Sequence, residues 1–213
     1  MKIERAGRHL TDGTIGPIEV FLDLPSGSPR GVAVVAHPQP LLGGSAQHKL
    51  PAFLARTLVE AGFMVARPNF RGIGASAGVH DHGIGETDDL AVVAAALRDA
   101  HPGAPLALVG FSFGAYVQAR LAARLKEQGA PAWRSFHAGM PYGTVASGRD
   151  FATPTGLVDA MVVHGEKDTS VPVERVYEWG RADSHPIVVV PGADHFFTGK
   201  LPMLRRLLLR HLA

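Results

Sequence analysis

Leu106-Ala107-Leu108-Val109-Gly110-Phe111-Ser112-Phe113-Gly114, running on into Ala115-Tyr116-Val117-Gln118-Ala119, is the stretch on which the reading of this chain turns. The apolar run is too short for a helix and reads as a fully buried strand. The alanine-rich continuation reads as a helix. Between them stands Gly-x-Ser-x-Gly, a nucleophile elbow, in which a sharp strand-to-helix turn holds a serine in strained backbone geometry with its hydroxyl above the sheet edge. Gly110 and Gly114 fall where strand and helix pass so close that a Cβ would clash. The start of the helix also aims unpaired N–H groups and a partial positive charge at any oxyanion formed near the serine. The five-residue pattern recurs by chance, and it is the strand before it and the helix after it that give it weight.

Working outward, residues 18–23 alternate as a half-buried antiparallel edge strand does, and with the turn cluster Pro25-Ser26-Gly27-Ser28-Pro29 they predict an N-terminal hairpin region. Residues 31–37 form an uninterrupted run rich in β-branched valine, as in a strand covered on both faces. The loop Leu42-Gly43-Gly44-Ser45 leads to a helix over 49–60 that stops at Gly62. A strand at 63–67, a loop over 69–85 and a helix over 86–100 follow. Beyond the elbow the pattern gives strands at 133–137, 160–164 and 187–190, a helix near 173–181 and a closing helix over 201–212. Residues 138–159 are rich in glycine and proline and give no clear element. Strands alternating with helices predict an α/β fold: a mainly parallel twisted sheet with helices on both faces.

The totals set limits. A chain of 213 residues suits one large α/β domain with a substantial core. A formal net charge of +2, from 21 basic and 19 acidic residues, offers no basic block for nucleic acid. The absence of cysteine excludes disulfides, thiolate catalysis and cysteine-ligated metal. Residues 1–9 carry charge where a secretory signal needs an apolar core. No stretch approaches the ~20 apolar residues that span a bilayer. The expectation is a soluble cytoplasmic protein.

A serine hydroxyl becomes a nucleophile only when a base takes its proton and an acid orients that base. In a parallel sheet the working residues stand on loops beyond the carboxyl ends of the strands. The loop after the strand ending at His164 offers Glu166 and Asp168, and the loop after the strand ending at Val190 offers His195. We therefore expect a catalytic triad of Ser112, Asp168 and His195. Glu166 is the competing acid, Asp168 also suits a turn or helix cap at Pro172, and Asp194 is read as solvated. An oxyanion hole needs two backbone donors. Phe113, after the serine, supplies one. In the loop His37-Pro38-Gln39-Pro40-Leu41 the prolines have no N–H, which leaves Gln39 or Leu41, and Gln39 is preferred. His37 is read as an anchor for that loop.

The chain resembles the α/β-hydrolases, and more narrowly a small bacterial group without a cap domain, similar to dienelactone hydrolases and acylaminoacyl peptidases, with a serine nucleophile. The chain order Ser112, Asp168, His195 is theirs. So are the His-Pro-x-Pro loop running from His37 to Gly44, the Arg-Pro-Asn-Phe-Arg-Gly-x-Gly-x-Ser segment from Arg67 to Ser76, and Gly83-Ile84-Gly85-Glu86-Thr87-Asp88-Asp89. The likeness covers residues 15–213. It implies one hydrolase domain over 1–213 and supports Gln39, because relatives with His-Gly-x-Pro use the x residue as a donor. Pro38 replaces that glycine.

The expectation is a serine hydrolase that cleaves carboxylic esters or thioesters of small to medium acyl groups through an acyl-enzyme, with neither cofactor nor metal. Leu41, Phe111, Met140, Tyr142 and Phe196 are expected to line the pocket. The expected partner is a small-molecule ester or thioester, not nucleic acid or membrane, with a homodimer allowed for. The alternatives are a serine peptidase of the acylaminoacyl type and a hydrolase-fold binding protein without turnover. Residues 72–78 have a third glycine one place late for a dinucleotide loop and read as a rim loop, braced by a pairing of Arg71 with Glu86. His80-Asp81-His82 lacks a third ligand at metal spacing. The run Leu204-Arg205-Arg206-Leu207-Leu208-Leu209-Arg210 reads as a helix docking on the core rather than on a membrane surface.

Overall fold

A computed structural model describes residues 5–213. The first four residues of the charged N-terminal stretch lie outside the described residues. In chain order the elements are β1 (Gly7–Asp12), β2 (Pro17–Asp23), β3 (Gly31–Ala36), α1 (Lys49–Glu60), β4 (Phe63–Pro68), α2 (Ile84–Ala100), β5 (Leu106–Phe111), α3 (Phe113–Glu127), β6 (Arg134–Ala138), β7 (Gly143–Thr144), β8 (Asp150–Phe151), β9 (Ala160–Gly165), α4 (Val173–Arg181), β10 (Ile187–Val190) and α5 (Leu201–His211). Eight strands form one sheet in the order β1-β2-β4-β3-β5-β6-β9-β10. The six strands from β4 to β10 run parallel. The fold class is as the sequence predicts.

Strand alternation sorts the core into two layers. On β3, Val32, Val34 and Ala36 face α2, α3 and α4, while Ala33 and Val35 face α1 and α5. Leu90, Val93 and Leu97 of α2 and Trp179 of α4 fill the first layer, and Leu54 and Leu58 of α1 with Leu204 and Leu208 of α5 fill the second. The closing helix docks on the core through Leu204 and Leu208, as expected. Among the described residues no helix is long and apolar enough to cross a membrane.

The N-terminal region departs from expectation. Residues 18–23 belong to β2, which lies between β1 and β4, antiparallel to both, and is therefore not an edge. The edge is β1, whose polar sequence hid it. The hairpin turn is closed by Gly13 N–H donating to Gly16 O at 2.9 Å, upstream of the predicted turn at 25–29. Residues 138–159, in which no element is predicted, hold the short antiparallel ladder β7–β8.

The Arg71–Glu86 pairing is also corrected. Arg71 Nε donates to Asp89 Oδ2 at 2.7 Å. Glu86, fully buried, instead accepts the N–H groups of Asp81 and Gly83 at 2.9 and 2.8 Å and closes the start of α2. Two orphan amides at a helix N-terminus are the stronger demand on a buried carboxylate. Arg71 reaches one turn further along, passing over Gly85.

Candidate active site

Ser112 stands between β5 and α3 at φ 55°, ψ −123°, a conformation that an L-residue enters only under constraint. The constraint is the crossing itself. A Cβ on Gly110 would strike Gly114 O and Ala115, and one on Gly114 would strike the carbonyls of Ala36 and His37 at the end of β3. Gln118 of α3 adds a tie across the sheet, its Nε2 donating to Val34 O at 2.8 Å and Val109 O at 3.2 Å.

The loops after β9 and β10 bring their residues to this serine. Ser112 Oγ lies 3.0 Å from His195 Nε2, and His195 Nδ1 lies 2.7 Å from Asp168 Oδ2. A carboxylate facing Nδ1 fixes the tautomer: Nδ1–H donates to Asp168, and Nε2 is left to accept the serine proton. Asp168 is buried, and its other oxygen accepts the N–H groups of Ser170 at 2.9 Å and Val171 at 2.8 Å. These bonds hold the carboxylate without supplying it a proton. Glu166 is exposed and accepts Gly192 N–H at 2.7 Å, away from the histidine. Asp194 accepts Thr198 N–H at 2.9 Å, a bond that holds its carboxyl below the usual range.

His164, at the end of β9, was not anticipated. Its Nε2 lies 2.8 Å from Val171 O and 3.3 Å from Asp168 Oδ2, so Nε2 carries the hydrogen and the ring backs the acid loop. It is fully buried, and burial keeps the imidazole below its ordinary pKa. The spacing His164-Gly165-x-x-Asp168 was the signal available for it.

The loop after β3 supplies the opposite wall. His37 is buried, and burial pushes its imidazole down to about 3. The neutral ring accepts Phe70 N–H on Nε2 at 3.0 Å, so Nδ1–H donates to Pro38 O at 2.8 Å. It thus clamps the loop, as expected of it. Leu41 N–H is turned onto the Gln39 side chain at 3.4 Å, whereas Gln39 N–H meets no backbone acceptor among the described residues. Phe113 N–H, at the first position of α3, has no intrahelical partner either. The segment from Arg67 to Ser76 braces this wall from behind. Phe70 packs 4.3 Å from His37 and 5.4 Å from Phe113, ring to ring, and Asn69 donates to Glu19 Oε2 at 2.6 Å while accepting Ala46 N–H at 2.8 Å.

A cavity of about 410 Å³ opens on Ser112, His195, Gln39 and Phe113. Of the five residues expected to line it, only Phe196 does. Phe111 is fully buried in the layer beneath α1, where its ring supports His195 at 5.1 Å. Met140 is buried in the opposite layer, and Tyr142 packs against that same layer. Leu41 is turned to solvent. Each misplaced residue stands one position from a true wall residue, Leu42 or Pro141 among them, or, like Phe111, on the core face of its strand. The β7–β8 segment supplies Val145, Arg149 and Phe151, none of which the sequence singled out. His48, at the start of α1, also lines the cavity, and partial burial keeps its imidazole below the ordinary value.

A buried carboxylate, an oriented imidazole and a strained serine at the carboxyl edge of a parallel sheet define the class of serine hydrolases built on the α/β-hydrolase fold. The comparisons agree. Residues 28–134 match the family described as serine aminopeptidase, S33. The chain is similar to XC6422 of Xanthomonas campestris, an α/β serine hydrolase without a lid, at 36% identity over 98% of this chain and 94% of that one, with a TM-score of 0.86. An α/β serine hydrolase homologue from Coxiella burnetii is 36% identical over 97% of each chain, with a TM-score of 0.84. The uncharacterized protein RP471 of Rickettsia prowazekii is 32% identical over 178 residues, 79% of this chain and 73% of that protein. The chain belongs to the α/β-hydrolase superfamily, in its serine hydrolase family.

Proposed function

We propose that the chain hydrolyses carboxylic esters or thioesters of small to medium acyl groups through an acyl-enzyme. The observation that carries this reading is the continuous hydrogen-bonded line Ser112–His195–Asp168 at 3.0 and 2.7 Å, opening on a cavity with two backbone N–H groups unengaged among the described residues. Ser112 Oγ attacks the carbonyl carbon as its proton passes to His195 Nε2. Asp168, itself held by two N–H donors, keeps His195 in the required tautomer and stabilises the imidazolium. The N–H groups of Gln39 and Phe113 receive the negative charge that develops on the carbonyl oxygen, and each such donor contributes roughly 3 kcal/mol. Collapse breaks the bond to the leaving group, which takes the proton from His195. Water then repeats the sequence on the acyl-enzyme and frees Ser112. No step calls on a cofactor or a metal.

The runner-up is peptide hydrolysis by the same triad, favoured by the description of the matching family as serine aminopeptidase. An aminopeptidase that anchors a free α-ammonium needs a carboxylate in its pocket, and among the described residues the cavity lining includes neither Asp nor Glu. An N-acylaminoacyl peptide escapes that objection. The experiment is intact mass after fluorophosphonate treatment of the wild type and Ser112→Ala, followed by a panel of esters, thioesters, and free and N-acylated aminoacyl anilides. One phosphonyl adduct on the wild type alone, with faster turnover of esters or thioesters, supports the proposal. Anilide turnover without ester turnover installs the peptidase. A well-folded protein that takes up no adduct points to a binding protein. Localisation in the cytoplasm, organisation as one domain and self-association as a homodimer remain part of this proposal.

A further inference from the structure

Among the described residues Arg149 is the only permanently charged one lining the cavity beside Ser112, and no carboxylate shares that lining. Its guanidinium makes no salt bridge among the described residues, whose other ion pairs engage Arg8, Arg67, Arg71, Arg124, Arg134, Arg175 and Arg205. Arg149 immediately precedes β8. Arg149 and Phe151, two residues apart, both line the cavity, while Asp150 between them faces outward and accepts Thr144 Oγ1–H at 3.2 Å. The backbone that carries Arg149 is fixed. Val145 N–H donates to Arg149 O at 2.9 Å, and Ala146 N–H donates to Ser170 O at 3.3 Å, which ties the hairpin to the loop that holds Asp168. The hydroxyl-bearing residues Ser147, Thr169 and Ser170 line the same cavity. Val145, Phe151 and Val171 give the same cavity an apolar stretch, and the Phe151 ring lies 6.4 Å from that of Phe113, the residue after Ser112.

We propose that this enzyme selects substrates carrying a carboxylate a few carbons from the scissile carbonyl, held by Arg149 across the apolar stretch. A guanidinium matches a carboxylate in a two-point fork, and a partly enclosed apolar wall strengthens that pairing over its worth in open water. The inference rests on the serine hydrolase reading above.

Three chromogenic esters test it: p-nitrophenyl hexanoate, the matched hemiadipate with its carboxylate on the acyl side, and the hexanoyl ester of 5-hydroxy-2-nitrobenzoate with its carboxylate on the leaving group. Values of kcat/KM are measured for the wild type, Arg149→Gln and Arg149→Lys, each first shown by fluorophosphonate uptake to be folded and armed. For at least one anionic ester, the ratio of its kcat/KM to that of the neutral hexanoate should fall tenfold or more in Arg149→Gln, mainly through KM. Arg149→Lys should restore part of it. Ratios within twofold of the wild type for both anionic esters would overturn the proposal and leave the hydrolase reading standing. Turnover of none of the three by a protein that still takes up one phosphonyl group would overturn the ester reading and this inference with it.

Discussion

Gly165 stands so close to the β10 loop that a Cβ on it would lie 2.6 Å from the carbonyl oxygen of Ala193, and equally near that of Asp194. The two loops are sewn together at that point by Lys167 N–H donating to Ala193 O at 2.8 Å. The meeting of His195 with Asp168 depends on this approach. Gly165→Ala should therefore cost about 1–3 kcal/mol of stability and lower kcat/KM by more than the loss of folded protein explains. Urea unfolding and active-site titration on the same preparation separate the two effects.

Removing the acid should differ sharply from removing its neighbour. Asp168→Asn leaves the shape but offers His195 an amide, and kcat should drop by about 10³–10⁴, as it does when the buried aspartate of other serine triads is so replaced. Glu166→Gln, on the exposed side of the same loop, should stay within twofold of the wild type. Steady-state kinetics on one ester decides it. The reverse pattern would exchange the two assignments.

The backbone of Ser112 makes a separate prediction. At φ 55° a side chain is strained by about 1–3 kcal/mol, and glycine is not, although its freer unfolded chain takes back about 0.5–1 kcal/mol. Ser112→Gly should be inactive yet more stable than Ser112→Ala by about 1 kcal/mol. Chemical denaturation of the two variants gives the difference directly. A less stable glycine variant would mean that the surrounding packing does not enforce the strain.

Two histidines outside the reaction set a pH limit on the fold. Burial pushes His37 to about 3 and His137 to about 4. His137 is neutral, with Nδ1–H donating to Ala115 O at 3.1 Å and Nε2 accepting the Ser135 hydroxyl at 3.0 Å. In the unfolded chain both titrate near 6.5, so below that pH the unfolded state binds the extra protons. Stability is then complete above pH 6.5 and declines as the pH falls toward 4, by about 2 kcal/mol for each histidine at pH 5. Unfolding midpoints at pH 7.5 and 5 should show the slope. His137→Asn, which keeps the donor to Ala115 O, should be less stable at pH 7.5 but show a shallower decline.

What the sequence disclosed follows from which residues carry unambiguous physics. Ser112, Asp168 and His195 stand where short apolar strands stop, and a strand end can be read from a valine run meeting glycine or proline. The clamp by His37 and the docking of α5 were legible for the same reason. The cavity walls were not. Phe111 and Met140 lie in or beside strands buried on both faces, where every position is apolar and the pattern does not say which side faces the site. Arg149 sits in a glycine-interrupted hairpin whose two-residue strands are too short for any period. β1, with the sequence Gly-Arg-His-Leu-Thr-Asp, looks like a loop until β2 lends it partners.

The hairpin has a kinetic meaning as well. Between β6 and β9 the chain carries only this short ladder, tethered to the acid loop, and no helix that would swing over Ser112. Product release should then wait on no hinged gate, and the bond-making steps should pace turnover. On a good substrate kcat should hold constant as sucrose thickens the medium and should fall when deuterium oxide replaces water, whereas a gated relative would respond in the opposite sense.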